Sequence, residues 1–161
     1  MIRYNNSTYR FLAVVPARSG SKEIKNKNIK LINGIPLIGY TANFINKINF
    51  IDNAVCSTDS KKYAKISNKY NLDTPFLRPN YLSSDFIGDV PVLKHALINS
   101  EKYYKKKFDF VIMLQPTSPI RKIKDLKDAA KYILKHKYDS LWSVSEINLK
   151  NHPLKQLVIK N

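Results

Sequence analysis

Five consecutive apolar residues, Phe11-Leu12-Ala13-Val14-Val15, stopped by Pro16, narrow the possible folds more than any other stretch of this 161-residue chain. A strand with one face in water alternates apolar and polar residues. A strand that does not alternate is covered on both sides, as in a parallel sheet. Similar short runs recur at residues 53–58 (NAVCST), 74–77 (TPFL), 109–114 (DFVIML) and 140–144 (SLWSV), and 154–159 reads as a further strand. Between them lie helical patterns. Pro36 opens one, with Leu37, Thr41, Phe44, Ile45 and Ile48 on one side. A second spans about residues 60–70, with Tyr63, Ile66 and Tyr70 aligned. A third begins near Asp89, read as its cap, and buries Leu93, Ala96, Leu97 and Tyr104. A fourth covers 124–136, with Leu126, Ala129, Ala130, Ile133 and Leu134 at helical spacing. Alternating strands and helices predict an α/β, doubly wound, Rossmann-like domain with a mainly parallel sheet and helices on both faces. The domain is expected over residues 11–161, after a polar, frayed lead-in at 1–10.

In such a sheet the ligand sits beyond the carboxyl ends of the strands, where the strand order reverses. Two strands empty into chemically rich loops. After the first come Arg18, Ser19, Gly20, Ser21, Lys22, Lys25, Lys27 and Asn28. Serine hydroxyls and backbone N–H groups donate to phosphate oxygens, and Arg18 and Lys22 add charge. The plain alternative is a solvated turn in a lysine-rich chain. After the fourth strand come Gln115-Pro116-Thr117-Ser118-Pro119. If both loops open on one edge, they form one site.

Composition limits the partners. The formal net charge is +16, so negatively charged partners are favoured. The lysines are dispersed, with Lys105-Lys106-Lys107 as the one run, and there is no zinc spacing, RNP-like aromatic repeat or basic amphipathic helix. Nucleic-acid binding is therefore disfavoured. No apolar stretch is long enough to span a bilayer, so no membrane role is expected. The single cysteine, Cys56, suits a reducing, cytoplasmic setting, and its apolar neighbours make it a buried small residue rather than a nucleophile. Trp142 reads as core.

The loops fit neither the P-loop nor the G-x-G-x-x-G pattern. They do resemble a more specific family. Ala17-Arg18-Ser19-Gly20-Ser21-Lys22 with Lys27-Asn28 is similar to the A-R-x-G-S-K…K-N signature of the acylneuraminate (sialic acid) cytidylyltransferases. In the same order follow Gly34-Ile35-Pro36-Leu37-Ile38-Gly39-Tyr40-Thr41, Ser57-Thr58-Asp59, Pro75-Phe76-Leu77-Arg78-Pro79, Leu114-Gln115-Pro116-Thr117-Ser118-Pro119-Ile120-Arg121 and His152-Pro153-x-Lys155. The matches cover nearly the whole chain.

The resemblance implies transfer of CMP from CTP to the anomeric hydroxyl of a nonulosonic acid (sialic, legionaminic or pseudaminic type), with Mg²⁺ and release of pyrophosphate. It implies Arg18, Ser21 and Lys22 at the triphosphate, Lys27 and Asn28 closing over the nucleotide, and Arg78 on the cytosine–ribose side. Gln115, Thr117 and Ser118 would face the acceptor sugar, and Arg121 its carboxylate. Arg18, Lys22 and Gln115 are the candidate catalytic residues.

The resemblance also implies a chain that continues past His152-Pro153, with a dimerisation segment and an Asp-x-Asp that helps hold Mg²⁺. None of the twelve acidic residues forms such a pair, so no metal ligand is assigned. The expectation is a domain C-terminally truncated relative to the family, with any homodimer weakened. Residues 82–93, LSSDFIGDVPVL, resemble the pseudaminic branch, whereas Gln115 to Pro119 resemble the sialic or legionaminic branch, so the sugar stays open. The alternative is a catalytically incomplete domain that binds nucleotide or assists a fuller enzyme.

Overall fold

A computed structural model describes residues 1–144 of the chain. The His152-Pro153-x-Lys155 motif and the strand expected at 154–159 lie outside the described residues. The chain forms two compact units, Met1–Ile123 and Lys124–Asn161.

The first unit is built around strand β3, Phe11–Pro16. It is the middle of a parallel three-stranded sheet. Strand β6 (Ile51–Ser57) pairs on one side and β7 (Phe110–Met113) on the other. Val14 is in register with Val55 and with Met113. All of Phe11 to Val15 are buried, as the lack of alternation requires. Leu12 and Val14 meet Val55, Ala96 and Phe108 in one apolar cluster, with Leu93, Leu97, Tyr104 and Val111 packed around it. Burying side chains of this size stabilises the fold by roughly 1.5–3 kcal/mol each. The opposite face, Ala13 and Val15, is equally shut off from solvent. The α/β fold expected from periodicity is the one observed.

Helix α1 (Leu37–Ile45) follows β3 and packs against it, burying Ile38, Ala42, Phe44 and Ile45. Before α1 the chain makes a small hairpin of β4 (Leu31–Ile32) and β5 (Ile35–Pro36). Its turn residues Asn33 and Gly34 both have positive φ, 48° and 79°, which Asn-Gly tolerates best. Helix α2 (Lys61–Asn68) follows β6 and is capped by Ser60, whose Oγ accepts the Tyr63 N–H at 3.4 Å. Helix α3 (Asp89–Tyr104) then packs on β3, β6 and β7. Its capping residue is Gly88, with Asp89 in the first turn, where a carboxylate still favours the helix dipole. Helix α4, Ile123–His136, lies in the second unit from Lys124 onward, buries Ala130 and Leu134 and carries a Lys124–Asp128 ion pair at 2.7 Å.

Several expectations are corrected. Residues 1–10 are not frayed. They form a hairpin of β1 (Ile2–Tyr4) and β2 (Ser7–Tyr9), turned by Asn5 and Asn6 at φ 45° and 63°. Residues 74–77 are not a strand. Prolines at 75 and 79 remove ladder donors, and what remains is one parallel bridge, Asp73 to Val55. Residues 140–144 are not a strand either, and Trp142 is 86% exposed rather than core.

Candidate functional site

The order β6-β3-β7 means that the chain leaves β3 to one side and returns on the other. The strand order therefore reverses at β3, and the carboxyl ends of the three strands share one edge. A cleft of about 210 Å³ opens there. Its walls come from the end of β3 and its loop (Pro16, Arg18, Ser21, Lys27, Asn28), from the segment after α2 (Arg78, Leu82, Ser84, Asp85) and from the loop after β7 (Gln115, Pro116, Thr117). The two loops singled out in the sequence thus do open on one edge.

Local structure sets each side chain. Ala17 N–H donates to Ser57 O at 2.9 Å, which continues the β3–β6 ladder into the loop. Ser19 is then held by Asp59: its N–H donates to Oδ1 at 2.8 Å and its hydroxyl to Oδ2 at 2.7 Å. Asn28 is buried and donates from Nδ2 to the Arg18 carbonyl at 3.1 Å, folding the loop back on itself. Arg18 Nη1 donates to the Gly20 carbonyl at 3.2 Å. A Cβ at Gly20 would meet only Arg18 Nη1, at 3.9 Å, so crowding by protein atoms does not demand glycine there.

The electrostatics centre on Asp85 and Arg78. Arg18 Nη2 donates to one oxygen of Asp85, and Lys22 Nζ lies 2.8 Å from the other. These hydrogen bonds, that from Lys22 foremost and then that from Arg18, hold the Asp85 carboxyl below its usual range. Arg78 is 5% exposed. Its N–H donates to Thr58 O at 2.7 Å, but its Nε and Nη2 find no partner. Burial lowers its pKa, and the nearby Asp59 charge opposes that shift. A buried guanidinium with unpaired donors lining a cleft is poised for an anionic or carbonyl-bearing ligand. Together with Arg18, Ser21 and Lys27, it can take a polyanion that offers several oxygens.

Of the residues the sequence singled out, Arg18, Ser21, Lys27, Asn28, Arg78, Gln115 and Thr117 line this cleft, and Lys22 reaches it through Asp85. Ser118 and Arg121 are not among the lining residues. Ser118 is exposed and donates its N–H to Gln115 O at 3.3 Å. The Arg121 guanidinium donates to the Gln115 carbonyl and, at 3.3 Å, to Thr41 Oγ1, and it stands 5.8 Å above the Phe44 ring. Sequence reasoning missed the Asp85 contact with the two cations and the Asp59 clamp. Both depend on contacts across 40 residues or more. Cys56 is buried, and its thiol is pushed up to about 12, as fits an inert core residue.

Among the described residues no group of three or more His, Cys, Asp or Glu side chains is arranged to hold a metal. The cleft carboxylates are Asp85, already engaged by Arg18 and Lys22, and Asp89. The donors among the described residues do not make up a complete Mg²⁺ site. No helix among the described residues is long and apolar enough to cross a membrane.

The chain is similar to known proteins in both sequence and fold. The cytidylyltransferase family model matches residues 12–159. The chain is 34% identical over 147 residues to post-translational flagellin modification protein B of Campylobacter coli, covering 91% of this chain and 62% of that protein. It is 38% identical over 144 residues to the CMP-N,N'-diacetyllegionaminic acid synthase of Legionella pneumophila, covering 88% of this chain and 60% of the synthase. An N-acylneuraminate cytidylyltransferase of Escherichia coli is 34% identical over 140 residues, 86% of this chain and 32% of that protein. The chain therefore spans less than two thirds of the length of these relatives. A solved CMP:2-keto-3-deoxy-manno-octonic acid synthetase in complex with CTP shares the fold, with a TM-score of 0.66 at 18% identity over 80% of this chain and 48% of that one. With the parallel sheet, the cleft at its carboxyl edge and the family match over nearly the whole length, the chain belongs to the cytidylyltransferase family.

Proposed function

We propose that the cleft binds CTP and that the whole protein transfers CMP to a nonulosonic acid. In this reaction the anomeric hydroxyl oxygen of the acid attacks the α-phosphorus, and the bond to the β-phosphate oxygen breaks. Pyrophosphate leaves with the electron pair of that bond, and the hydroxyl proton passes to solvent. Such a transfer is accelerated chiefly by positioning and by charge stabilisation at the leaving phosphates. Arg18 and Lys22 would hold the β- and γ-phosphates and the departing pyrophosphate, with Ser21 donating a hydrogen bond. Lys27 and Asn28 would close the loop over the nucleotide, and Arg78 would satisfy its unpaired donors on the nucleoside side. Gln115, Thr117 and Ser118 would meet the acceptor. Arg121, docked on the Gln115 carbonyl, would fix that loop and stand near the acceptor carboxylate.

The observation that carries this reading is the buried Arg78 guanidinium, with two unpaired donors, in the same cleft as the Arg18 loop. The relatives' names, which include legionaminic, sialic and pseudaminic acid enzymes, support a nonulosonic acid as acceptor class. Mg²⁺ would neutralise the triphosphate in such a reaction. The described residues lack a donor set for it, so the charge stabilisation assigned to them is that of the cations alone. A second reading is nucleotide binding without turnover. Incubation with CTP, Mg²⁺ and a panel of nonulosonic acids, read as pyrophosphate release, separates the two. Release with one acceptor supports transfer. CTP binding with no release from any acceptor supports the second reading, and absence of CTP binding overturns both.

A further inference from the structure

Asp59 follows β6 directly, and a carboxylate at that place is often spent on capping the next helix. In this chain Ser60 caps α2 through its own hydroxyl, leaving both Asp59 oxygens to Ser19, 40 residues earlier, at 2.8 and 2.7 Å. Ser19 adjoins Arg18 and lies two residues before Ser21. On the other side, the Thr58 carbonyl accepts the Arg78 N–H at 2.7 Å, so Arg78 is anchored one residue before Asp59. The Arg78 guanidinium is buried with two donors unpaired, and its charge there is opposed by burial and favoured by Asp59.

We infer that Asp59 is a positioning residue for the phosphate-binding loop: both its carboxylate oxygens clamp Ser19, between Arg18 and Ser21, while the adjoining Thr58 carbonyl anchors Arg78, so the end of β6 organises two cationic arms of the cleft. This rests on the nucleotide-site reading and adds a residue to it. Fixing one loop residue removes backbone freedom that would otherwise be lost on binding, so the clamp raises affinity by pre-organisation. The negative charge strengthens both bonds to Ser19, since hydrogen bonds to an ionised acceptor are stronger than those to a neutral one.

Two substitutions separate these effects. Asp59→Ala removes clamp and charge together. Asp59→Asn keeps the shape: its amide oxygen accepts the Ser19 N–H, its NH₂ donates to Ser19 Oγ, and only the charge is lost. The full chain is titrated calorimetrically with CTP and with inorganic tripolyphosphate, well below its melting temperature, and amide exchange of residues 17–22 is followed in the free protein. Asp59→Ala is expected to weaken both ligands by roughly tenfold or more and to speed exchange in the loop. Asp59→Asn is expected to restore slow exchange while keeping a several-fold loss for CTP. A residue that only braces the fold would lower the melting temperature and leave the affinity of the folded protein unchanged. Wild-type affinity in both variants, or in Asp59→Asn alone if Asp59→Ala does not fold, overturns the inference and leaves the nucleotide reading standing. Failure of the wild type to bind either ligand overturns both.

Discussion

Asp85 Oδ2 lies 2.8 Å from Lys22 Nζ, while the other oxygen of the same carboxylate accepts from Arg18. The two cations proposed for the triphosphate are thus already bridged by an anion of the protein itself. A triphosphate that uses Arg18 and Lys22 must displace it. Asp85→Asn is therefore expected to tighten CTP binding by roughly two- to fivefold, the scale of a partly exposed ion pair. Calorimetric titration of the two proteins at one salt concentration reads the change. Weaker binding in the variant would mean that Asp85 holds the cations in place for the ligand.

The same contact fixes an acid dependence. The folded Asp85 carboxyl is held below its ordinary value of 3.8, so the unfolded chain takes up the proton first. The stabilisation is full above about pH 4.5 and fades as pH falls from there through the depressed value. Denaturant unfolding of wild type and Asp85→Asn should show a constant difference from about pH 7 down to about 4.5, shrinking below that. A difference that does not change down to about pH 2 would contradict the ion-pair account.

Arg78 predicts a conflict between stability and binding. Two donors of a buried guanidinium are unpaired in the free protein, which disfavours the fold until a ligand arrives. Arg78→Met fills similar space without charge. It is expected to leave the free protein as stable as wild type or more so, and to abolish measurable CTP binding. Thermal unfolding with and without CTP reads both effects. A large loss of stability in the free variant would show that Arg78 is a structural residue.

His95 gives a second pH signal. Its Nδ1 is buried without a partner, its ring meets Phe76 edge-on at 5.5 Å, and burial, aided by Arg78, lowers its pKa. The unfolded chain therefore binds the proton first, and stability falls as pH drops from about 7 through the ordinary histidine value of 6.5. His95→Gln should flatten this slope between about pH 7 and 5. An unchanged slope would assign it to another group.

The core prediction is steric. Leu12 is fully buried in the cluster between β3 and α3. Leu12→Ala should lower stability by about 2–5 kcal/mol. Urea unfolding with an unchanged m-value checks it.

What is legible in the sequence follows the range of the forces involved. Residues 11–15 announce a doubly covered strand because the pattern is local and has no polar break. Asn33-Gly34 announces a tight turn by the same token. Asn5-Asn6 carries a weaker turn signal, and composition alone does not reveal the hairpin around it. Residues 74–77 and 140–144 have strand-like composition, but Pro75 within the first and Pro79 just after it stop it, and the second leaves Trp142 and Val144 in solvent. The family motifs bring Arg18, Ser21, Lys27, Asn28, Arg78, Gln115 and Thr117 to attention, and these line one cleft. The roles of Asp59 and Asp85 are hidden in the sequence because each is defined by a partner 40 or more residues away.

The central claim is that the Arg18 loop is a seat for the phosphates of CTP. It is tested most directly by calorimetric titration of CTP into wild type and Arg18→Ala. The account predicts saturable one-site binding by the wild type, weakened by roughly ten- to a hundredfold in the variant, with the fold intact by circular dichroism. Equal affinity in the two proteins would contradict it.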